Sequence, residues 1–167
     1  MTGIQDLVGK TAPSFSLPNH DGTTYEFKAG ESGLPTALLF YPESGSYGCT
    51  QQMCGMRDAV VEKTLYAPDK AQVIAISPNT VEKQKAFAAK EGLTFPVLSD
   101  EAKEVSKSYG IGRGMFGISP IARCTFIVDK KGVVRDAMDS TINYGAHQKF
   151  VDKWLQKLAD EGEGASS

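Results

Sequence analysis

The sequence predicts a single α/β domain, because continuous apolar segments typical of buried strands alternate with segments of helical periodicity. Two apolar runs, Thr36–Tyr41 and Ala71–Ser77, have the pattern of strands that are buried on both faces. The chain has 167 residues, of which 41% are hydrophobic and 23% charged, which is the composition of an ordinary globular domain. We expect one domain over residues 1–160 and a disordered polar tail over residues 161–167.

The first half of the chain is predicted to form a hairpin followed by a strand–helix–strand–helix series. Apolar and polar residues alternate over Pro13–Phe27 on both sides of a turn, which indicates an N-terminal β-hairpin. Helical spacing of methionine, alanine and valine predicts a helix over Cys49–Lys63. A capping box between Asn79 and Glu82 predicts the start of a second helix, which Gly92 ends.

The second half is predicted to contain short elements, a glycine-rich loop, an antiparallel strand pair and a last helix. In chain order these are a strand over 95–98, a helix over 100–109, the loop over 110–120, strands over 124–128 and 133–138, and a helix from about 146. A βαβ unit followed by a hairpin and a helix resembles the thioredoxin-like fold. The expected architecture is therefore a central mixed β-sheet flanked by helices, with the N-terminal hairpin beside it.

Charge and hydropathy narrow the range of partners. The 18 basic and 20 acidic side chains nearly balance, which argues against a nucleic-acid partner. No apolar stretch approaches the roughly 18 residues of a membrane span, and Met1–Lys10 lacks the pattern of a signal peptide. We therefore expect a cytoplasmic protein without a membrane partner, and a nuclear or organellar location stays open. Three cysteines, an odd number, do not indicate a secreted disulfide framework.

Cys49 is predicted to lie in the first turn of the helix that follows the central strand. Unpaired backbone N–H groups and the helix dipole favour an anion at that position, so the sequence indicates a reactive thiolate. Because the dipole contributes only about 1 kcal/mol, a nearby cation is also needed. The strand beginning at Cys124 is expected beside the central strand, which makes Arg123 the candidate cation.

Cys54 follows Cys49 by five residues, a spacing that an intact helix cannot bridge with a disulfide. Five residues correspond to a rise of about 7.5 Å and to Cα atoms about 8.7 Å apart. A disulfide tolerates at most about 7 Å. Any chemistry between the two sulfurs therefore requires the first turns of the helix to unwind, and Gly55 lowers the cost of unwinding by about 1 kcal/mol relative to alanine.

The segment Tyr41–Asp58, YPESGSYGCTQQMCGMRD, resembles the active-site motif of the peroxiredoxins. Pro42, Ser46 and Cys49 reproduce the pattern Pro-x-x-x-Thr/Ser-x-x-Cys. The added Cys54, the following Arg-Asp pair and the later segment RCTFIVD are similar to the peroxiredoxin Q, or bacterioferritin comigratory protein, branch. Serine stands where threonine is more usual, and Tyr47 replaces a frequent proline.

The resemblance implies a thiol-dependent peroxidase that uses no metal, flavin or haem. Cys49 would be the peroxidatic cysteine that reduces hydrogen peroxide and alkyl hydroperoxides. Pro42, Ser46 and Arg123 would shape the pocket and bind the peroxide oxygens. Cys54 would be the resolving cysteine, and thioredoxin or a similar dithiol protein would reduce the Cys49–Cys54 disulfide. Members of this branch are often monomers, so a monomer is expected.

Each candidate residue also has a structural interpretation. Cys49 could be an inert core thiol, and Cys54 could be structural, which would leave resolution to an external thiol. Ser46 could act only as the helix N-cap, Pro42 only as a strand terminator, and Arg123 as a surface residue.

Other residues of chemical interest are expected to be structural. Cys124 should point to the opposite face of the strand from Arg123, into the core. A zinc site formed by the cysteines with His20 or His147 is disfavoured, because no Cys-x-x-Cys pair is present. The sequence GIGRG over Gly110–Gly114 lacks the lysine of a phosphate-binding loop and indicates a flexible loop.

Two rival functions stay open from the sequence. One is a redox-responsive binding or chaperone-like module whose disulfide controls a partner surface. The other is a general disulfide oxidoreductase, although such enzymes normally carry Cys-x-x-Cys.

Overall fold

The computed structural model describes residues 3–141 and 143–165. The strands are β1 (Phe15–Pro18), β2 (Thr24–Phe27), β3 (Thr36–Phe40), β4 (Gln72–Ser77), β5 (Val97–Ser99), β6 (Cys124–Val128) and β7 (Val134–Asp139). The helices are α1 (Tyr47–Glu62), α2 (Val81–Glu91), α3 (Glu104–Ser108) and α4 (Tyr144–Ala165). The predicted order of elements is confirmed.

The main sheet is mixed and has the strand order β5-β4-β3-β6-β7. The strands β3, β4 and β5 are parallel, whereas β6 is antiparallel to both β3 and β7. Phe40, the last residue of β3, lies opposite Cys124, the first residue of β6. The start of β6 therefore lies next to the end of β3, as the sequence predicted, and β1 and β2 form the separate N-terminal hairpin.

Alternate residues of β3 face two cores on opposite sides of the sheet. Leu39 packs in a core with Met53 of α1 and Trp154 of α4. Leu38 packs in the second core with Val105 of α3. The helices α1 and α4 therefore pack on the same face of the sheet, and α3 packs on the opposite face. Both faces of β3 are covered in this way, which explains why every residue of the strand is buried.

The start of α2 differs from the predicted capping box. The N-cap is Thr80, whose hydroxyl accepts a hydrogen bond from the Lys83 backbone N–H at 3.2 Å. The side chain of Asn79 is used elsewhere, since its Oδ1 accepts from the Ser44 backbone N–H at 2.7 Å. The prediction of an Asn79–Glu82 box was wrong because a distant loop binds the Asn79 side chain.

Helix α4 is longer at both ends than the sequence indicated. It begins at Tyr144 and continues to Ala165, so residues 161–165 of the expected disordered tail are helical. Arg135 binds both carboxylate oxygens of Glu161, at 2.9 and 3.0 Å, which ties the last turns to β7. Residues 166 and 167 lie outside the described residues.

The glycine-rich loop over 110–120 contains one 3₁₀ turn, Met115–Gly117. Its base is closed by two backbone hydrogen bonds between Gly114 and Ser119, at 3.2 and 3.0 Å. A Cβ atom at Gly114 would come within 3.0 Å of the Ala122 backbone, so glycine allows the loop to pack against the segment that leads into β6.

His147 connects the first turns of α4 to the sheet and is fully buried. Its Nε2 donates to the Ser140 carbonyl at 2.7 Å, so in the neutral ring Nδ1 accepts from the Thr125 hydroxyl at 2.7 Å. Burial lowers the pKa of His147 below its usual value, and the nearby charge of Arg123 lowers it further. Protonation of this ring therefore opposes the folded state.

We predict that His147 makes the protein less stable as the pH falls below about 6.5, the pKa of an unfolded histidine. Below that pH the unfolded chain binds a proton that the folded chain does not, so the free energy of unfolding falls by at most about 1.4 kcal/mol per pH unit. Urea denaturation between pH 7.5 and about 5 should show a steeper loss for the parent than for His147→Gln. His20→Gln is the matched control, and equal slopes for all three proteins would contradict the prediction.

Candidate active site

A cavity of about 330 Å³ lies where β3 ends and α1 begins. Its walls come from the β3–α1 loop, the 114–121 segment and the start of α4. Three predicted site residues line it, namely Pro42, Ser46 and Arg123. The cavity wall at the start of α1 is Gly48, the residue before Cys49.

Cys49 is the third residue of α1, and its side chain is fully buried. It packs in the core between the sheet and α1, together with Met53 and Tyr41. Burial raises the pKa of Tyr41 to about 12, and the charge of the nearby Cys49 contributes in the same direction. Cys49 therefore lies directly behind the cavity wall, in an apolar and water-poor environment.

Ser46 is the N-cap residue of α1 by position but does not cap the helix with its side chain. Its hydroxyl donates to the Glu43 carbonyl at 3.0 Å, within the same loop. The first N–H groups of a helix have no carbonyl partner within it. Because Ser46 leaves these groups uncapped, they can bind an anionic or oxygen-rich ligand.

A buried hydrogen-bond network holds the β3–α1 loop in place. The hydroxyl of Ser44 donates to Gln84 Oε1, and Tyr41 Oη lies 2.7 Å from Ser44 Oγ. Gln84 Nε2 donates to Ser77 Oγ and to the Leu98 carbonyl, both at 2.7 Å. The loop that carries Pro42 and Ser46 is therefore fixed to α2, β4 and β5.

Arg123 is buried, with 5% of its surface exposed, and directly precedes β6. Its Nη1 donates to Gln52 Oε1 at 2.5 Å, and its Nε donates to the Thr141 carbonyl at 3.2 Å. The guanidinium also stacks on the ring of Tyr144, 5.1 Å from the ring centre. These partners are all uncharged, and no salt bridge among the described residues involves Arg123, although the carboxylate of Glu43 lines the same cavity.

Two residues of this site were not predicted, Gln52 and Tyr144. Gln52 lies three residues after Cys49, on the same helix face, so its spacing could have revealed it. Its Nε2 is buried without a hydrogen-bond partner among the described residues, which is uncommon for such a group. Tyr144 packs against Gly48 so closely that a Cβ atom there would collide with the ring, a contact that no sequence pattern indicates.

Cys54 is half-buried on α1 and does not line the cavity. Its Sγ donates to Glu91 Oε2 at 3.2 Å. Burial raises the pKa of Cys54, and the hydrogen bond to Glu91 and its negative charge raise it further. Both cysteines lie within one unbroken helix, so their Cα atoms are about 8.7 Å apart by helix geometry, and both thiols are free.

Cys124 takes the core position that the sequence predicted. Cys124 lies in the core on the other face of the sheet from Cys49, and burial raises the pKa of its thiol. His20 Nδ1 lies 2.9 Å from Asn19 Oδ1, far along the chain from His147.

Within 3–141 and 143–165, no group of three or more His, Cys, Asp or Glu side chains could hold a metal ion. None of the described helices is both long and apolar enough to cross a membrane.

Comparison with known proteins identifies the family. The model of the AhpC/TSA family matches residues 8–137. The chloroplastic peroxiredoxin Q of Triticum aestivum is 42% identical over 150 residues, which cover 90% of this chain and 67% of that protein. A putative peroxiredoxin of Mycobacterium tuberculosis is 34% identical over 151 residues, which cover 90% and 94% of the two chains.

Solved structures agree with the sequence comparison. The crystal structure of peroxidoxin BcpB from Mycobacterium tuberculosis has a TM-score of 0.75 and 33% identity, and covers 92% of this chain and 96% of that one. Peroxiredoxin Q of Xanthomonas campestris shares the fold, with a TM-score of 0.74, 23% identity and coverage of 87% and 91%. The chain therefore belongs to the AhpC/TSA family as a peroxiredoxin, a thiol-dependent peroxidase of the peroxiredoxin Q, or bacterioferritin comigratory protein, branch.

Proposed function

We propose that the protein is an atypical two-cysteine peroxidase in which Cys49 is the peroxidatic cysteine and Cys54 the resolving cysteine. The main support is the position of Cys49, which lies in the first turn of α1, behind a cavity that also holds Arg123. Helix N–H groups without a capping side chain and a nearby guanidinium both stabilise negative charge, and the proposed reaction needs Cys49 as a thiolate.

In the first step the Cys49 thiolate attacks one oxygen of the peroxide. A sulfur–oxygen bond forms, the O–O bond breaks, and the distal oxygen leaves as water or an alcohol after it takes up a proton. Cys49 is oxidised to a sulfenic acid, and the peroxide is reduced by two electrons. Negative charge moves from sulfur to the leaving oxygen, so donors around both oxygens lower the barrier.

Two of the donors proposed for this step, Arg123 and Ser46, line the cavity. Arg123 carries the largest positive charge there, and Ser46 supplies a hydroxyl. Gln52 holds Arg123 through its Oε1, and its Nε2 is a further buried donor beside the guanidinium. Pro42 shields the thiolate from water. Because the loop and the guanidinium are fixed by hydrogen bonds, little reorganisation is needed during the reaction.

In the second step Cys54 resolves the sulfenic acid after α1 unwinds. The Cys54 thiolate forms a disulfide with Cys49 Sγ, and the sulfur–oxygen bond of Cys49 breaks to release water after protonation. Thioredoxin or a similar dithiol protein would then reduce the disulfide by thiol–disulfide exchange. No metal, flavin or haem takes part in this proposed cycle.

We propose hydrogen peroxide and organic hydroperoxides as substrates of a cytoplasmic monomer. The cavity opens beside Met115 and Ile118, which are 49% and 79% exposed and could contact the alkyl part of an organic hydroperoxide. Alkyl peroxide reduction activity is ascribed to the bacterioferritin comigratory protein of Xanthomonas campestris, which shares this fold at 22% identity. Several relatives are named as chloroplastic, and a localisation experiment on this chain tests the cytoplasmic assignment.

We predict opposite outcomes for the two cysteine variants after one equivalent of peroxide. Cys49→Ser should consume no peroxide, because the nucleophile is absent. Cys54→Ser should consume one peroxide per chain and then stop with a sulfenic acid, because no partner thiol is present. Intact mass spectrometry with and without alkylation should show one added oxygen in Cys54→Ser and a disulfide in the parent.

Cys124→Ala is the matched control, since it removes the remaining thiol from the other core. It should keep full turnover with thioredoxin, its reductase and NADPH. Equal residual turnover in Cys49→Ser and Cys54→Ser would contradict the assigned roles, and disulfide formation without turnover would favour a redox-responsive binding module.

Arg123→Met is predicted to slow the reaction of Cys49 with peroxide by roughly tenfold to hundredfold. A hydrogen bond from a charged donor contributes about 1.5–3 kcal/mol, and each 1.36 kcal/mol corresponds to a factor of ten. Stopped-flow tryptophan fluorescence or competition kinetics would measure the rate constant. Arg135→Met is the control, because Arg135 also stacks on an aromatic ring, that of Trp154, but does not line the cavity. An equal loss in both variants would contradict a specific role for Arg123.

A further inference from the structure

The contact between Cys54 and Glu91 has no role in the peroxide step, yet it joins α1 to the end of α2. Glu91 is the last residue of α2, and its Oε2 accepts a hydrogen bond from the Cys54 thiol at 3.2 Å. Glu91 is also bound through its backbone, because Arg57 Nη1 donates to its carbonyl at 2.7 Å. Two residues of α1, Cys54 and Arg57, therefore bind Glu91 at the end of α2, one through its side chain and one through its backbone.

The charged groups around Cys54 oppose its ionisation. Glu91 faces it from α2, and Asp58 lies on α1; both raise the pKa of the thiol, in addition to the effect of burial. Arg57 acts in the opposite direction, but its guanidinium already pairs with Asp58 at 2.9 Å. From α4, the uncharged Gln148 side chain lies close to Gly55, the residue after Cys54. Glu91 is thus the residue whose charge and hydrogen bond both favour the thiol.

Disulfide formation requires Cys54 to be ionised and free to move towards Cys49. The attacking species must be a thiolate, and the two Cα atoms must approach from about 8.7 Å to less than about 7 Å. The thiol proton that Cys54 donates to Glu91 is the proton that Cys54 must lose to become a thiolate. The same hydrogen bond is formed while α1 is folded, and α1 must unwind before the disulfide can form.

We propose that Glu91 is a positioning residue that holds the Cys54 thiol protonated against α2 while α1 is folded, and so slows disulfide formation. This inference rests on the proposed role of Cys54 as the resolving cysteine. In the step that it controls, Cys54 gives its proton to solvent, its sulfur bonds to Cys49, and the sulfenic oxygen takes up a proton and leaves as water. Glu91 delays that step and leaves the first reaction with peroxide unaffected.

The first test measures Cys54 without any peroxide chemistry. In the Cys49→Ser background, alkylation of Cys54 by iodoacetamide near pH 8 should be faster in Glu91→Gln than in the parent, by roughly twofold to fivefold, the range for charge interactions of partly exposed groups. Glutamine keeps an acceptor oxygen but has no charge. Glu62→Gln, at the exposed end of α1, is the matched control and should alkylate at the parent rate.

The second test follows resolution with both cysteines present. After one equivalent of peroxide, quenched-flow mass spectrometry should show that Glu91→Gln forms the disulfide faster than the parent, by a similar factor, while sulfenic acid appears at an unchanged rate. Glu91→Asp, which keeps the charge on a shorter side chain, should lie between the two.

The outcomes separate this inference from the proposed function. Equal alkylation and resolution rates in the parent and Glu91→Gln would overturn it, and slower resolution in Glu91→Gln would show instead that Glu91 assists the reaction as a base. If alkylation responds to Glu91 but no disulfide ever forms, the effect on the thiol stands and the assignment of Cys54 as resolving cysteine fails.

Discussion

The geometry of one α-helix separates the thiols of Cys49 and Cys54, and the rest of the proposed site depends on this constraint. While α1 is intact, Cys49 and Cys54 lie on different turns, with Cα atoms about 8.7 Å apart. The same turns supply the backbone N–H groups and Gly48, which form one wall of the cavity. The segment that forms part of the proposed peroxide site is therefore the segment that must unfold before the two sulfurs can join, so the two proposed half-reactions need different conformations of α1.

Contacts of the residues around α1 restrict the proposed unwinding to the segment between Cys49 and Cys54. The preceding loop is held by Ser44 and Gln84 in a buried network that does not involve the helix. Arg123 has two contacts outside α1, the Thr141 carbonyl and the Tyr144 ring, and one within it, Gln52. Because Gln52 lies between the two cysteines, unwinding that joins them also breaks its hydrogen bond to Arg123. Unwinding of this segment would thus displace the Cys49 thiol from its position behind the cavity wall and, at the same time, remove the Gln52 hydrogen bond that holds the Arg123 guanidinium.

Most of the fold and part of the site could be predicted from the sequence. Strands such as Thr36–Phe40 are continuous apolar runs, and the cysteine motif carries a local signal. The missing parts depend on contacts between distant segments: Asn79 binds the loop at Ser44, and Arg135 extends α4 by binding Glu161. Tyr144 over Gly48 belongs to the same class. Periodicity and spacing report only local preferences, so they find the elements and the motif but not the side chains that other elements bring to it.

Two glycines reconcile tight packing of α1 with its ability to unwind. A Cβ atom at Gly48 would collide with the Tyr144 ring, and one at Gly55 would come within 2.9 Å of Gln148 Oε1. Both glycines therefore let α4 approach α1 closely at the two ends of the Cys49–Cys54 segment. Gly55, in the helix interior, also weakens α1 by about 1 kcal/mol relative to alanine. The folded form of the Cys49–Cys54 segment therefore depends on its tertiary contacts with α4 more than on the propensity of the helix itself.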